Sequence, residues 1–123
     1  MGRNDMSNNI DFKLKNAVEV GKDIKVTLGS ITSSDIDLAT GNYFADTLAA
    51  NTTYTISNAG GVQSFQLEVT GASTYTITWP SSIEWAGGVA PSAPATGETD
   101  VFTFVTDDSG TSYVGLKTAD NLS

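Results

Sequence analysis

Residues 64–79 read Ser-Phe-Gln-Leu-Glu-Val-Thr-Gly-Ala-Ser-Thr-Tyr-Thr-Ile-Thr-Trp, with apolar and polar side chains alternating on both sides of a turn signal. Successive side chains of a strand point to opposite faces, so the apolar residues of each half share one face. These are Phe65, Leu67 and Val69 in the first half, and Tyr75, Ile77 and Trp79 in the second. The stretch predicts a β-hairpin over residues 64–79, ended by Pro80, which cannot donate to a neighbouring strand.

The same two-residue period recurs along most of the chain, and helical periodicity is nowhere convincing. A second hairpin is predicted over residues 101–106 and 111–117, joined by Asp107-Asp108-Ser109-Gly110. About eight short strands at close spacing predict an all-β fold. We expect an antiparallel β-sandwich or a jelly-roll-like barrel.

Charge divides the chain near residue 25. Residues 1–25 carry five basic and four acidic side chains, whereas residues 26–123 carry ten acids against one base, Lys117. This predicts a short extended N-terminal arm or anchor over residues 1–25 and a β-sandwich domain over residues 26–123. The alternative is an ordinary first strand with solvated lysines. The candidate anchor residues of the arm are the apolar side chains of Phe12, Leu14, Val18 and Val20.

Composition excludes several classes of function. The chain has no cysteine and no histidine, which removes zinc sites built from those residues, thiol nucleophiles and any Ser-His-Asp triad. An acidic domain repels phosphate backbones, so we expect no nucleic-acid partner. No apolar run is long enough to span a membrane, and no secretory signal is present at Met1. We therefore expect no membrane partner and no cofactor, and synthesis in a cytoplasm.

Acidic side chains at three places in the sequence are candidates for metal binding or catalysis. Asp107 and Asp108 could offer oxygens to calcium, but their spacing is wrong for an EF-hand, and an Asx-turn is the commoner use. Asp35 and Asp37 fall on one strand face, as a glycosidase pair could, and Glu84 stands beside an aromatic wall. Solvation at the start of a strand explains Asp35 and Asp37, and a lone Glu on an exposed edge is far commoner than a catalytic one. No motif places a second acid or base. We expect no enzymatic activity and no metal site.

Two tryptophans, Trp79 and Trp85, precede a Pro/Gly/Ala-rich stretch over residues 86–100. Trp79 continues the alternation of Tyr75 and Ile77, which predicts core packing. Trp85 interrupts the pattern and is the better candidate for a contact surface, facing either a sugar ring or another subunit. Long loops of this composition are often binding segments.

From Asp37 onward the chain resembles a module found in virion proteins of tailed phages, notably marine phages. The residues that carry the resemblance are Asp37–Phe44, Ala50–Thr55, Phe65–Thr70, Thr78-Trp79-Pro80, Trp85–Gly88, Ala90-Pro91, Asp100–Phe104 and Asp107–Gly110. The resemblance covers about two-thirds of the chain, and the order and spacing of the motifs are more specific than any single one. It implies a β-rich fold on the particle surface, often in a fibre or fibre tip and usually trimeric, with no catalytic residues.

The chain lacks the fibrous shaft, coiled coil or collagen-like stretch of long fibres. We therefore expect a virion structural protein, first of all a capsid decoration or cement protein that stabilises capsomer contacts. The alternative is a tail fibre or tail-surface component that binds a receptor or glycan. The expected partners are further copies in a homotrimer, the major capsid protein or another virion protein and, for a fibre, a host-surface glycan. A carbohydrate-binding module and an enzyme rank after these. The expected location is the virion surface, after synthesis in the host cytoplasm.

Overall fold

The structure, a computed structural model, describes residues 26–123. Strands and their connections account for nearly all of this range, apart from one 3-10 turn at Ala86–Gly88. The ten strands are β1 (Ile31–Thr32), β2 (Asp35–Asp37), β3 (Tyr43–Thr47), β4 (Thr52–Thr53), β5 (Thr55–Ser57), β6 (Gln63–Thr70), β7 (Ile77–Thr78), β8 (Ile83–Trp85), β9 (Thr99–Thr106) and β10 (Tyr113–Leu122). The predicted all-β class is confirmed.

The largest layer is a five-stranded sheet in the order β3-β6-β9-β10-β8. Its central pairs, β6–β9 and β9–β10, are antiparallel, whereas β3–β6 and β8–β10 are parallel. The sheet is therefore mixed, where the sequence predicted antiparallel pairing. In sequence, β4 and β5 come between β3 and β6, but both belong to other sheets. The connection from β3 to β6 therefore crosses over through the other sheets, which allows the two strands to run parallel.

The second predicted hairpin is confirmed. In β9 and β10 the Cα partners include Val105 with Val114 and Phe104 with Gly115, and the ladder has irregular register after Lys117. The turn between the strands contains Ser109 and Gly110, both with positive φ (58° and 85°). Backbone of this kind suits Gly and short polar side chains, as the turn signal in the sequence indicated.

The hairpin predicted over residues 64–79 is wrong in its pairing. Strand β6 pairs with β3 and β9, while the short β7 pairs in parallel with β4 in another sheet. At the predicted turn, the N–H of Gly71 donates to the carbonyl of Glu98, and the carbonyl of Gly71 accepts from the N–H of Gly97. A Cβ at Gly71 would overlap the carbonyl oxygens of Pro94 and Ala95. Strand β9 thus takes the antiparallel place beside β6 that the hairpin partner would have occupied, and the segment before β9 packs against Gly71.

Two small sheets, β1-β2-β5 and β4-β7, form the second layer of the sandwich. One core lies between the layers. Phe65 is at its centre, stacked on Phe104 with ring centroids 4.9 Å apart and edge-on to Phe44 at 5.9 Å. The buried apolar residues are Ile36, Leu38, Phe44, Leu48, Tyr54, Phe65, Leu67, Val69, Ile83, Phe102, Phe104 and Tyr113. Burying each large side chain contributes roughly 1.5–3 kcal/mol before the entropy of ordering is counted.

Candidate functional site

The predicted anchor residues Phe12, Leu14, Val18 and Val20 lie outside the described residues, as does the whole of the predicted arm. The described chain begins at the edge of the five-stranded sheet. Leu28 is bridged in parallel to Tyr43, with Gly29 N–H donating to the carbonyl of Tyr43 at 2.8 Å and Tyr43 N–H donating to that of Thr27 at 3.1 Å. Residue 26 therefore lies just before the segment of residues 27–29 that pairs with the outer edge of β3.

Trp85 lies at the end of edge strand β8 and is half-buried. Its ring packs edge-on against Trp79, Phe102 and Phe104, with centroid separations of 5.0, 6.1 and 5.5 Å. The structure thus attaches Trp85 to the margin of the core and leaves part of it exposed. An interface role for the exposed part stays a prediction. Trp79, predicted to pack in the core, is likewise half-buried against it.

The loop after Trp85 is joined to the domain at two points. The Trp79 indole Nε1–H donates to the carbonyl of Pro91 at 3.3 Å, and Thr96 forms a bridge to Gly71. Strand β9 begins at Thr99, so the irregular segment is shorter than the predicted loop of residues 86–100. Val89 is its most exposed large apolar side chain, at 76%. The loop presents a fixed surface with one projecting aliphatic group.

Asp35 and Asp37 lie on β2 on either side of buried Ile36, and both carboxylates accept structural hydrogen bonds. Asp35 accepts from the hydroxyls of Thr55 (2.7 Å) and Ser57 (2.6 Å). Asp37 accepts from Asn58 Nδ2 and from the N–H of Ala39, and these bonds hold the pKa of Asp37 below its ordinary value. Both carboxylates therefore serve to fasten β2 to β5 and to the following turn.

The Asp107–Gly110 turn is also held by internal bonds. Asp108 accepts from the N–H and hydroxyl of Ser112 at 2.9 and 2.8 Å and from the hydroxyl of Thr106 at 2.9 Å. The bonds from Ser112, and then that from Thr106, lower the pKa of Asp108. Hydrogen bonding to the charged form favours it. Asp108 bonds to the N–H four residues on, whereas the predicted Asx-turn bonds two residues on, so the carboxylate closes a wider loop than predicted.

Over residues 26–123, no cluster of three or more acidic side chains is arranged to hold a metal ion, and no helix in that range could cross a membrane. An open depression of about 300 Å³ lies beside the chain entry, lined by Thr27, residues 38–42 and Gln63. It has a largely polar lining and holds no pair of carboxylates.

Sequence reasoning missed one surface, the outer face of the five-stranded sheet. Val105, Val114 and Leu116 are 40%, 54% and 38% exposed on the side of the sheet opposite the core. Val105 and Val114 are directly opposite each other, and Glu84 of β8 flanks Val114. The signal was present in β9 and β10, where aliphatic side chains occupy both parities and not only the core-facing one.

Charge on the described domain is strongly unbalanced. Its one basic side chain is Lys117. The Nζ of Lys117 lies 3.4 Å from Oδ2 of the buried Asp100 and 3.1 Å from Oδ1 of the exposed Asp120. The remaining acids have no basic side chain of the domain to pair with, and the surface potential is therefore negative. No protein-family model, no curated protein and no solved structure matches this chain.

Proposed function

We propose that this chain is a structural protein of a tailed-phage particle, a capsid decoration or cement protein that acts as a homotrimer on the virion surface. The observation that carries the proposal is the position of residue 26. There the chain enters an acid-rich β-sandwich at the edge of its main sheet, preceded by a segment of nearly balanced charge and alternating apolar residues. The resemblance of residues 37–110 to phage virion modules supports the same proposal.

The physics of a cement suits this arrangement. A protein that binds only the assembled shell stabilises it by mass action, whatever the details of the contact. The segment of residues 1–25 supplies apolar side chains for such a contact, and the acidic domain stays outside and keeps free subunits soluble. Three-fold assembly also covers sheet edges, which would otherwise pair with other chains.

A second candidate, a tail-fibre or tail-surface component, is favoured by the loop between β8 and β9. That loop follows the half-buried Trp85, exposes Val89 and is held by the Trp79–Pro91 hydrogen bond. A fixed loop of this kind is suited to receptor or glycan contact, because little entropy is lost on binding.

Cryo-electron microscopy of the intact particle separates the two candidates. The decoration proposal expects density for this chain at three-fold or quasi-three-fold positions over the head. Density confined to the tail would refute it in favour of the fibre component. Absence of the chain from purified particles would overturn both.

The anchor role of the N-terminal segment has its own test in the full-length chain. We expect replacement of Phe12, Leu14, Val18 and Val20 by Ser to abolish attachment to particles while the β-domain keeps its thermal transition. The matched control replaces Lys13 and Lys15 by Ser, which changes charge but keeps the apolar residues. Unchanged attachment of the apolar variant would rule out the anchor.

A further inference from the structure

The outer face of the five-stranded sheet carries a contiguous aliphatic patch, formed by Val105, Val114 and Leu116. Val105 and Val114 are paired across β9 and β10, which places their Cβ atoms about 5 Å apart. Leu116 follows Val114 on the same face, about 7 Å along the strand. All three side chains are between 38% and 54% exposed. The outward face of a sheet with antiparallel central strands is normally polar, so this patch requires an explanation.

The neutral polar side chains beside the patch are already hydrogen-bonded within the domain. Thr103 is the Cα partner of Leu116, and its hydroxyl lies 3.2 Å from that of Thr118. The Thr118 hydroxyl is also positioned to donate to the carbonyl of Val101, at 3.2 Å. Polar groups that keep their hydrogen bonds when water leaves add little to the free-energy cost of burial. Another surface can therefore cover this face at a small desolvation cost.

Two glutamates give the outer face acidic margins. Glu84 of β8 is the Cα partner of Val114. Glu68 of β6 lies on the same face, since its neighbour Leu67 is buried in the core. The one base of residues 26–123, Lys117, has the parity of the buried residues of β10 and is held by two aspartates. Within the described domain, no basic side chain is left to pair with either glutamate.

We propose that the outer face docks against a basic surface of another protein of the particle. The aliphatic patch forms the centre of the contact, and Glu84 and Glu68 pair with lysine or arginine side chains at its margins. The strand spacing and register place the two glutamates about 14 Å apart across the strands and about 13 Å apart along them, roughly 20 Å in all. We expect basic side chains of the partner at a similar separation. The inference rests on the proposed function, which supplies the particle.

Charge selects this partner over other occupants of the face. A second copy placed face to face would bring acidic margins against acidic margins, with no base of residues 26–123 between them. Nucleic acid and anionic lipid would be repelled for the same reason. A basic protein surface neutralises both glutamates and covers the aliphatic patch in the same contact.

The first test compares two leucines of β10 in the full-length chain. Binding to particles assembled without this chain is measured by co-sedimentation over a range of protein concentrations. We expect Leu116→Ser to raise the apparent Kd at least about fivefold, because the contact loses a buried apolar side chain. Leu122→Ser is the matched control, since Leu122 is 48% exposed but lies about 20 Å further along β10. Both variants are expected to keep a cooperative thermal transition above the assay temperature.

The second test changes charge and leaves the aliphatic patch intact. We expect wild-type binding to weaken as the NaCl concentration rises, and Glu84→Gln to make this dependence shallower. Glu98→Gln makes the same chemical change just before β9, about 20 Å along that strand from Val105, and is expected to keep the wild-type dependence. Equal salt dependence in the two variants would contradict a basic partner at this face.

The outcomes separate this inference from the proposed function. If the wild-type chain does not bind the particles, the proposed function fails and the docking fails with it. If the wild type binds and Leu116→Ser binds equally well, the docking is wrong while the proposed function stands. Sedimentation of the free protein tests the remaining occupant. A lower mass for Leu116→Ser than for Leu122→Ser would mean that another copy covers the face, which also contradicts the proposal.

Discussion

The hydroxyl of Tyr54 donates a 2.6 Å hydrogen bond to Oδ2 of Asp46 and so joins the second layer of the sandwich to the five-stranded sheet. Tyr54 is 1% exposed, and Asp46 lies on β3 two residues after the buried Phe44. Burial, and then the neighbouring carboxylate of Asp46, raise the pKa of Tyr54 far above its ordinary value. The hydroxyl therefore stays protonated, and remains a donor, over the whole working pH range.

Replacing Tyr54 by Phe removes this donor and leaves the Asp46 carboxylate without it at the layer boundary. We expect a loss of about 1–3 kcal/mol in the free energy of unfolding, the usual cost of an unsatisfied partly buried acceptor. Urea unfolding measures it. The matched control is Tyr75→Phe, whose hydroxyl has no hydrogen-bond partner among the described residues, and an equal loss in both variants would contradict a specific role for the bond.

Asp108 predicts how stability depends on pH. Its pKa is lowered in the folded state, so its contribution is present above the unfolded pKa and is lost as pH falls through the folded one. We expect the wild-type melting temperature to fall below about pH 4, and the fall to be shallower in Asp108→Ala. Asp107→Ala changes the adjacent carboxylate, which accepts no hydrogen bond among residues 26–123, and serves as the control. Identical pH profiles for wild type and Asp108→Ala would refute the prediction.

Gly115 makes room for the aromatic core. A Cβ added there would lie 2.8 Å from Ile83 Cγ2 and 3.1 Å from two ring carbons of Phe104. We expect Gly115→Ala to destabilise the protein by about 1–3 kcal/mol through overpacking. Gly60→Ala meets nothing within 4 Å and serves as its control. A thermal transition for Gly115→Ala as high as that of the control would show that the core has space to spare.

Lys117 neutralises a carboxylate that the fold buries. Asp100 is 1% exposed, and its second oxygen accepts from the N–H of Asn121 at 2.9 Å. We expect Lys117→Met to lower the free energy of unfolding by about 1.5–3 kcal/mol, because a charged acceptor loses its cation. The double variant Asp100→Asn/Lys117→Met should recover part of the loss, since the amide keeps its acceptor without the charge. Strictly additive losses would argue against coupling of the pair.

The candidate surfaces were predictable only in part. Trp85 could be singled out because it interrupts the alternation before a Gly-rich stretch, yet its packing against Trp79 and Phe104 depends on β8 joining the far edge of the sheet. The outer face was harder to foresee. Val105 and Val114 look like ordinary strand residues in sequence, and only the layer arrangement decides which parity is covered.

The sequence by itself determined the all-β class and the hairpin of β9 and β10, because both depend on interactions between residues that are close together in the chain. Alternating side chains need only an extended backbone, and the Asp107–Gly110 turn holds itself together through bonds between near neighbours. Tertiary structure alone decided the partners of β6. The pattern of residues 64–70 suits any strand that presents an apolar face, and β9 took the antiparallel place beside it that residues 74–79 were predicted to fill. A period of two specifies which side of a strand is buried, but the neighbour is chosen by long-range packing that no local pattern contains.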